Sequence, residues 1–347
     1  MLAYILMVSI QQINSFFWSH FLRLKRGYVK ALLLSLPLAV FVGLRPAGTG
    51  SDYENYKKYF EDIAGGYDVY LEPGYVFLNH VANYSYLGYE GLLFFVAFVT
   101  FFFYFIRLSE NSENIILASS MLFFSGIVFY SMGWIRFIMA CSIVFFSIKY
   151  LFENKYFKFT TFIGVASLFH FSALIALSFI WIRHLKKSTF LYFFVFSISI
   201  VFFLPGSLYL FLEYVFSIFD LHYSSYLNFF NEMEYADIES SGLGLLSRLV
   251  LSILLLLYAT FANLEKNNET LIRIIALGFA FFGVLSIFSP LNRAAIIFMQ
   301  FCILWVPNSL NSSSVVEKSL SILTLSLSFL IFCYTLYTMP EDLRILL

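Results

Sequence analysis

Long stretches of this chain carry almost no charge, and that constrains its fold more than any other feature. They lie near residues 1–19, 29–45, 91–107, 114–131, 134–151, 157–181, 188–211, 243–262, 271–289, 291–306 and 317–338. A helix of about 17 to 25 apolar residues spans the hydrocarbon of a bilayer. Backbone amides find no water there, so apolar runs without strand-like alternation must satisfy their hydrogen bonds as helices. The expected fold class is therefore all-α: a polytopic integral membrane protein with about 11 transmembrane helices, one membrane domain over residues 1–347. Composition agrees, because 61% hydrophobic, 21% aromatic and only 12% charged residues cannot clothe a soluble surface.

The remaining composition excludes several classes of function. A formal net charge of zero argues against nucleic acid as a partner, since displacing counterions from phosphates needs a basic surface. Cys141, Cys302 and Cys333 sit singly in apolar runs, which gives neither a disulfide framework nor a zinc site. Zincin spacing, a Walker lysine loop and a nucleophile elbow are all missing from the sequence, so no cofactor or metal is expected. The apolar run at Met1 lacks a basic leader and a cleavage site and reads as a retained first helix.

Charge between the segments orients them, because Lys and Arg concentrate in cytoplasmic loops. Arg23, Lys25, Arg26 and Lys30 place the first connection inside. The next, residues 46–90, sets Asp52, Glu54, Glu61, Asp62, Asp68, Glu72 and Glu90 against Lys57 and Lys58, and a later one, 213–242, holds Glu213, Asp220, Glu232, Glu234, Asp237 and Glu239 without a single Lys or Arg. Both acidic loops are expected outside. The segment 157–181 breaks simple alternation: Lys155 and Lys158 precede it, and Arg183, Lys186 and Lys187 follow. A helix broken near Phe169-His170-Phe171 that dips in and returns resolves the conflict, as does a straight helix followed by a break at Pro205-Gly206. The first is preferred because it gives a mid-membrane histidine something to do.

Four arginines border or interrupt apolar segments: Arg45, Arg136, Arg248 and Arg293, all toward the outer face in this topology. An arginine at mid-membrane costs about 2.5 to 3.5 kcal/mol on insertion scales, less where it snorkels to an interface. Four on one side point to a shared anion, and a guanidinium grips phosphate oxygens two at a time. The plainer reading of each is a headgroup contact. The first acidic loop brings Tyr53, Tyr56, Tyr59, Tyr67, Tyr70 and Tyr75 among its carboxylates. Tyrosines stack on sugar rings and hydrogen-bond their hydroxyls; an amphipathic segment with tyrosines in the headgroup belt accounts for the same composition. His170 is the histidine flanked by long apolar sequence, either merely hydrogen-bonded or functional.

Several short matches, in order along most of the chain, resemble the EpsG-like family of Wzy-type polysaccharide polymerases. Arg45 with Gly50-Ser51-Asp52-Tyr53 and Tyr56 is similar to the family's early arginine, Gly-Thr-Asp turn and tyrosine. Glu72-Pro73-Gly74 resembles its acidic-Pro-Gly segment, Ile135-Arg136 with Ala140 its arginine-led helix, Ala166 to Leu174 its histidine segment, and Asn292-Arg293 its late arginine. Departures are Ser51 for the usual threonine, the extra Gly48-Thr49, and Phe137 where the family often has glutamine. Arg248 enters from its position and not from a motif.

The resemblance implies a GT-C-like arrangement in the bacterial cytoplasmic membrane and glycosyl transfer at its outer face. A glycan on undecaprenyl diphosphate would move onto the sugar of an incoming lipid-linked repeat unit. Arg136, Arg248 and Arg293 would hold diphosphate with Arg45 as a fourth candidate, Asp52 or His170 would be the base, and Tyr53, Tyr56 and Glu72 would contact sugar. Implied partners are the lipid-linked oligosaccharide, the bilayer, a chain-length regulator and a flippase. The rival readings are a flippase for the same lipid, a ligase passing finished glycan to another lipid, and a membrane acyltransferase with His170 as base. Obvious internal repeats, which would favour a transporter, are lacking.

Overall fold

The structure, a computed structural model, describes residues 1–21, 27–190, 194, 242–285 and 289–338. Every regular element among them is helical. In chain order these are α1 (Leu2–Phe21), α2 (Gly27–Gly43), α3 (Tyr53–Ala64), α4 (Pro73–Tyr84), α5 (Gly88–Asn111), α6 (Ile115–Phe124), α7 (Ile127–Gly133), α8 (Ile135–Phe152) and α9 (Tyr156–Ser167). A 3₁₀ segment (Phe171–Leu177) and α10 (Ser178–His184) follow, then α11 (Gly242–Phe261), α12 (Lys266–Leu285), α13 (Ser289–Met299), α14 (Cys302–Ser309) and α15 (Val315–Tyr337).

Among the described residues three helices, α5, α8 and α15, are individually long and apolar enough to cross a bilayer, and α6 with α7 makes a fourth if that bent pair counts as one span. The chain is thus an all-helical, multi-pass membrane protein. Two stretches that read as continuous in the sequence are interrupted. The run 114–131 bends by 49° between α6 and α7 at Ser125-Gly126, and the run 291–306 is divided between α13 and α14 at Gln300-Phe301. Tyr104 on α5 donates its hydroxyl to the Gln300 side-chain carbonyl at 2.7 Å, so the second interruption is bound to a fully buried polar group. In hydrocarbon such pairing is the condition for tolerating a broken helix.

The segment 156–184 reverses direction. α9 stops at Ser167, the chain turns through Leu168 to His170, and the 3₁₀ segment and α10 run back. Its two ends meet: Tyr156 Oη lies 2.9 Å from His184 Nε2, and Arg183 donates to Asn154 Oδ1 at 3.2 Å and to the Phe152 carbonyl at 3.2 Å. The break expected at Phe169-His170-Phe171 is therefore present. Pro205-Gly206, the alternative, lies outside the described residues, as does all of the second acidic loop before Gly242.

The first acidic loop contains two short helices. Tyr53, Tyr56, Phe60 and Ile63 line the buried side of α3 and Tyr75, Asn79 and Ala82 that of α4, the spacing that gives a helix one packed stripe. That stripe faces Leu92, Leu93 and Val96 of α5 and Ile135 and Met139 of α8 in one apolar cluster. The loop is thereby folded down onto the start of α8, which positions the site.

Candidate functional site

The site is organised by a turn that joins α2 to α3. Arg45, buried, donates from Nη1 to the Val42 carbonyl at 2.7 Å, from Nε to Thr49 at 2.8 Å, and from Nη2 to Met132 at 2.8 Å. All three nitrogens are engaged by backbone oxygen, so this arginine ties the turn to the end of α7. Gly50, at φ +108°, passes so close to the Met132 carbonyl that a Cβ there would collide with it. Tyr53 lies 5.5 Å beneath the Arg45 guanidinium, and its carbonyl accepts from the Tyr89 hydroxyl at 3.1 Å. Asp52 caps α3, its carbonyl taking the Tyr56 amide at 3.0 Å.

Arg136 enters on the first turn of α8 and meets the loop. It is ion-paired with Glu72, its Nε donates to the Tyr56 hydroxyl at 3.3 Å, and its guanidinium lies 5.3 and 5.7 Å from the rings of Tyr56 and Tyr75. Glu72 sits at the N-cap of α4 with Pro73 behind it, a start that fixes the carboxylate's direction of approach. The next residue, Gly74, donates its amide to the Leu168 carbonyl at 2.8 Å, and a Cβ at Gly74 would stand 2.7 Å from that same oxygen. The acidic-Pro-Gly segment is thus seated on the broken-helix turn itself.

His170 stands at that turn. Its Nδ1 accepts from the Ser172 amide at 3.3 Å and lies 2.7 Å from Ser172 Oγ, while Phe137 packs edge-on with ring centroids 5.2 Å apart. The position where the family often carries glutamine therefore holds a ring that backs the imidazole. Arg136 and Arg293 are its charged neighbours. Arg293 lies 5.0 Å from the Trp134 ring centroid, and Trp134 stacks in turn on Tyr130 at 4.9 Å and 4°. Arg248 lies 4.1 Å from the Phe282 ring and lines a small adjoining cavity with Tyr130, Gln300 and apolar side chains from α6, α12 and α13. The Nε atoms of Arg248 and Arg293 are buried without a hydrogen-bond partner among the described residues.

Of the residues singled out in the sequence, Arg45, Asp52, Tyr53, Tyr56, Glu72, Arg136, His170 and Arg293 come together around the start of α8, and Arg248 opens onto the neighbouring cavity. Trp134, Ser172 and the Met132 carbonyl escaped the sequence reading. Ser172, two residues past the histidine, carried a usable signal, because a side-chain acceptor followed by a small polar residue is how a short helical turn starts. Trp134 and Met132 carried none, since both are apolar residues at the short join between the runs 114–131 and 134–151.

The fold and the site together define a multi-pass membrane protein with arginines and a histidine gathered at a helix break, where charged and polar groups are costly unless they have a use. The model of the EpsG family matches residues 29–345, and the chain belongs to that family. Its members are like the Wzy-type polysaccharide polymerases, which places the chain, at the level of the family, in polysaccharide biosynthesis as a glycosyltransferase-like polymerase. Neither a curated protein nor a solved structure matches it.

Proposed function

We propose that this protein polymerises undecaprenyl-diphosphate-linked oligosaccharide repeat units into a surface polysaccharide. About eleven transmembrane helices in a GT-C-like arrangement would place the α3–α4 loop and the start of α8 at the outer face of the bacterial cytoplasmic membrane. A flippase would deliver the substrate there, and a chain-length regulator would act on the product.

In the transfer, an acceptor hydroxyl oxygen forms a bond to the anomeric carbon while that carbon's bond to the diphosphate oxygen breaks. The bonding pair leaves on the diphosphate, and the hydroxyl proton passes to a base. Two demands follow: compensation of charge developing on the leaving group, and a nearby proton acceptor. Arg136 and Arg293 meet the first, with Arg248 next to them; Asp52 and His170 are the candidates for the second. Tyr53, Tyr56 and Glu72 contribute through the arginines they hold, Tyr53 beneath Arg45 and Tyr56 with Glu72 against Arg136. Arg45 holds the turn that carries Asp52 and Tyr53, because its nitrogens already serve carbonyls.

The observation that carries this reading is the gathering of Arg136, held by Glu72, Tyr56 and Tyr75, and Arg293, held by Trp134, around Phe137, which packs on Trp134 and on the His170 ring. Purified protein in liposomes, given a lipid-linked repeat unit from its host, is expected to yield a ladder spaced by one repeat together with released lipid diphosphate. A verified substrate that gives neither product overturns polymerisation in favour of the flippase or ligase.

A further inference from the structure

We infer that His170 works at this site as a hydrogen-bond donor through Nε2–H, and that the base is a carboxylate. The inference rests on the polymerase reading above, and the geometry behind it is confined to one side chain and its neighbour. A backbone N–H can only donate, and the Ser172 amide points at His170 Nδ1 from 3.3 Å. That nitrogen must present its lone pair, so in the neutral ring the proton resides on Nε2. The Ser172 hydroxyl, 2.7 Å away, donates to the same lone pair or accepts from elsewhere, and either choice leaves the amide's demand unchanged.

A general base needs a free lone pair within reach of the proton it removes. The only lone pair of this tautomer is Nδ1, already occupied by the cap of the 3₁₀ segment. Placing a second proton there would set one N–H against another. Nε2, by contrast, has no hydrogen-bond partner among the described residues, and the ring is held between Phe137 and the turn with Arg136 and Arg293 as its charged neighbours. An N–H in the field of two guanidiniums suits the same anion they do: it supplies a further donor to the leaving diphosphate oxygen as that oxygen gains charge. The His170 proton stays on nitrogen throughout. The proton of the attacking hydroxyl goes instead to a carboxylate, and Asp52 at the start of α3 is the other candidate base of the proposed reaction.

Two substitutions separate donor from base. His170→Gln places an amide N–H where the imidazole Nε2 lies, whereas His170→Asn keeps an acceptor for the Ser172 amide but reaches no further. For a donor, the Gln variant retains chain growth within about tenfold of wild type and the Asn variant loses about 10²- to 10³-fold, the usual cost of one such donor. For a base, both lose a comparable factor, and that outcome, with both proteins melting as the wild type does, overturns the inference. Retention of full activity by both overturns it as well. Nitrogen-15 NMR of histidine-labelled protein in nanodiscs reads the tautomer without turnover: the His170 signals, identified by their loss in H170N, are expected to show the proton on Nε2, and a proton on Nδ1 would refute the assignment. Failure of the wild type to make any ladder from verified substrate removes the polymerase reading alone, since the NMR result is independent of it.

Discussion

The two ends of the helical body both hold buried arginines, but they hold them differently. At the end away from the site, Arg183 donates to Asn154, Asn267 and the Phe152 carbonyl, Arg273 donates to the Leu185 carbonyl and pairs with Glu269, and Arg107 pairs with Glu110. At the site end, Arg293 and Arg248 rest against aromatic faces with an unsatisfied Nε, and Arg136 combines one ion pair with two tyrosine rings. A ring face offsets part of the cost of a buried cation without consuming its N–H donors. Rings and unsatisfied nitrogens occur at both ends, since Arg183 and Arg273 lie over Phe152 and Phe190 and the Nε atoms of Arg107 and Arg273 are also without a partner; the difference is that each far-end arginine has an oxygen partner, whereas among the described residues Arg248 and Arg293 have none and keep their donors for an anion. Arg45 has the first kind of environment inside the second region, which marks it as the anchor of its loop.

This contrast breaks most readily at the far end. Arg273→Met leaves Glu269 buried and unpaired, and is expected to cost about 3 to 5 kcal/mol of stability, measured as a lowered melting temperature in detergent and poor accumulation. Arg293→Ala is expected to do the reverse: about 10²- to 10³-fold slower chain growth with unchanged melting. A destabilised Arg293→Ala protein would erase the distinction between the two ends. Trp134→Leu removes the ring beneath Arg293, a cation–ring contact worth about 0.5 to 2 kcal/mol, along with its stacking on Tyr130, so roughly tenfold slower polymerisation is expected, checked by single-cycle ladder kinetics. Lys155→Gln deletes the exposed ion pair with Glu153 at the far end, and no measurable change in melting or activity is expected.

Much of this was readable in the sequence because charge is costly in lipid and so is spent where it matters. Lysines and arginines at both ends of 157–181 forced the reversal, and the reversal placed His170 at its turn. The same cost drew attention to Arg136 and Arg293. What the sequence did not disclose depends on contacts between distant segments. The bend at Ser125-Gly126 interrupts an apolar run with small residues that also occur inside continuous helices. The commitment of Arg45 to the Met132 carbonyl bridges residues far apart in the chain, and no residue type announces it. Phe137 read as a departure from the family because its neighbour across the fold, the His170 ring, was not visible from its own position.

The reversing segment also bears on how the protein is made. α9 has 12 residues and so is only about 18 Å long, well short of the roughly 30 Å hydrocarbon thickness. Neither half can be integrated as an ordinary span during synthesis, and the turn at Leu168 to His170 has backbone groups that lipid would leave bare. Its shelter is the Gly74 amide on α4 and the Phe137 face of α8, both encoded upstream and therefore emerging from the ribosome first. The hairpin thus enters a cradle prepared by earlier segments, and the helices bearing Arg248 and Arg293 are made after it, so the order of translation sets the order in which this end of the molecule is assembled.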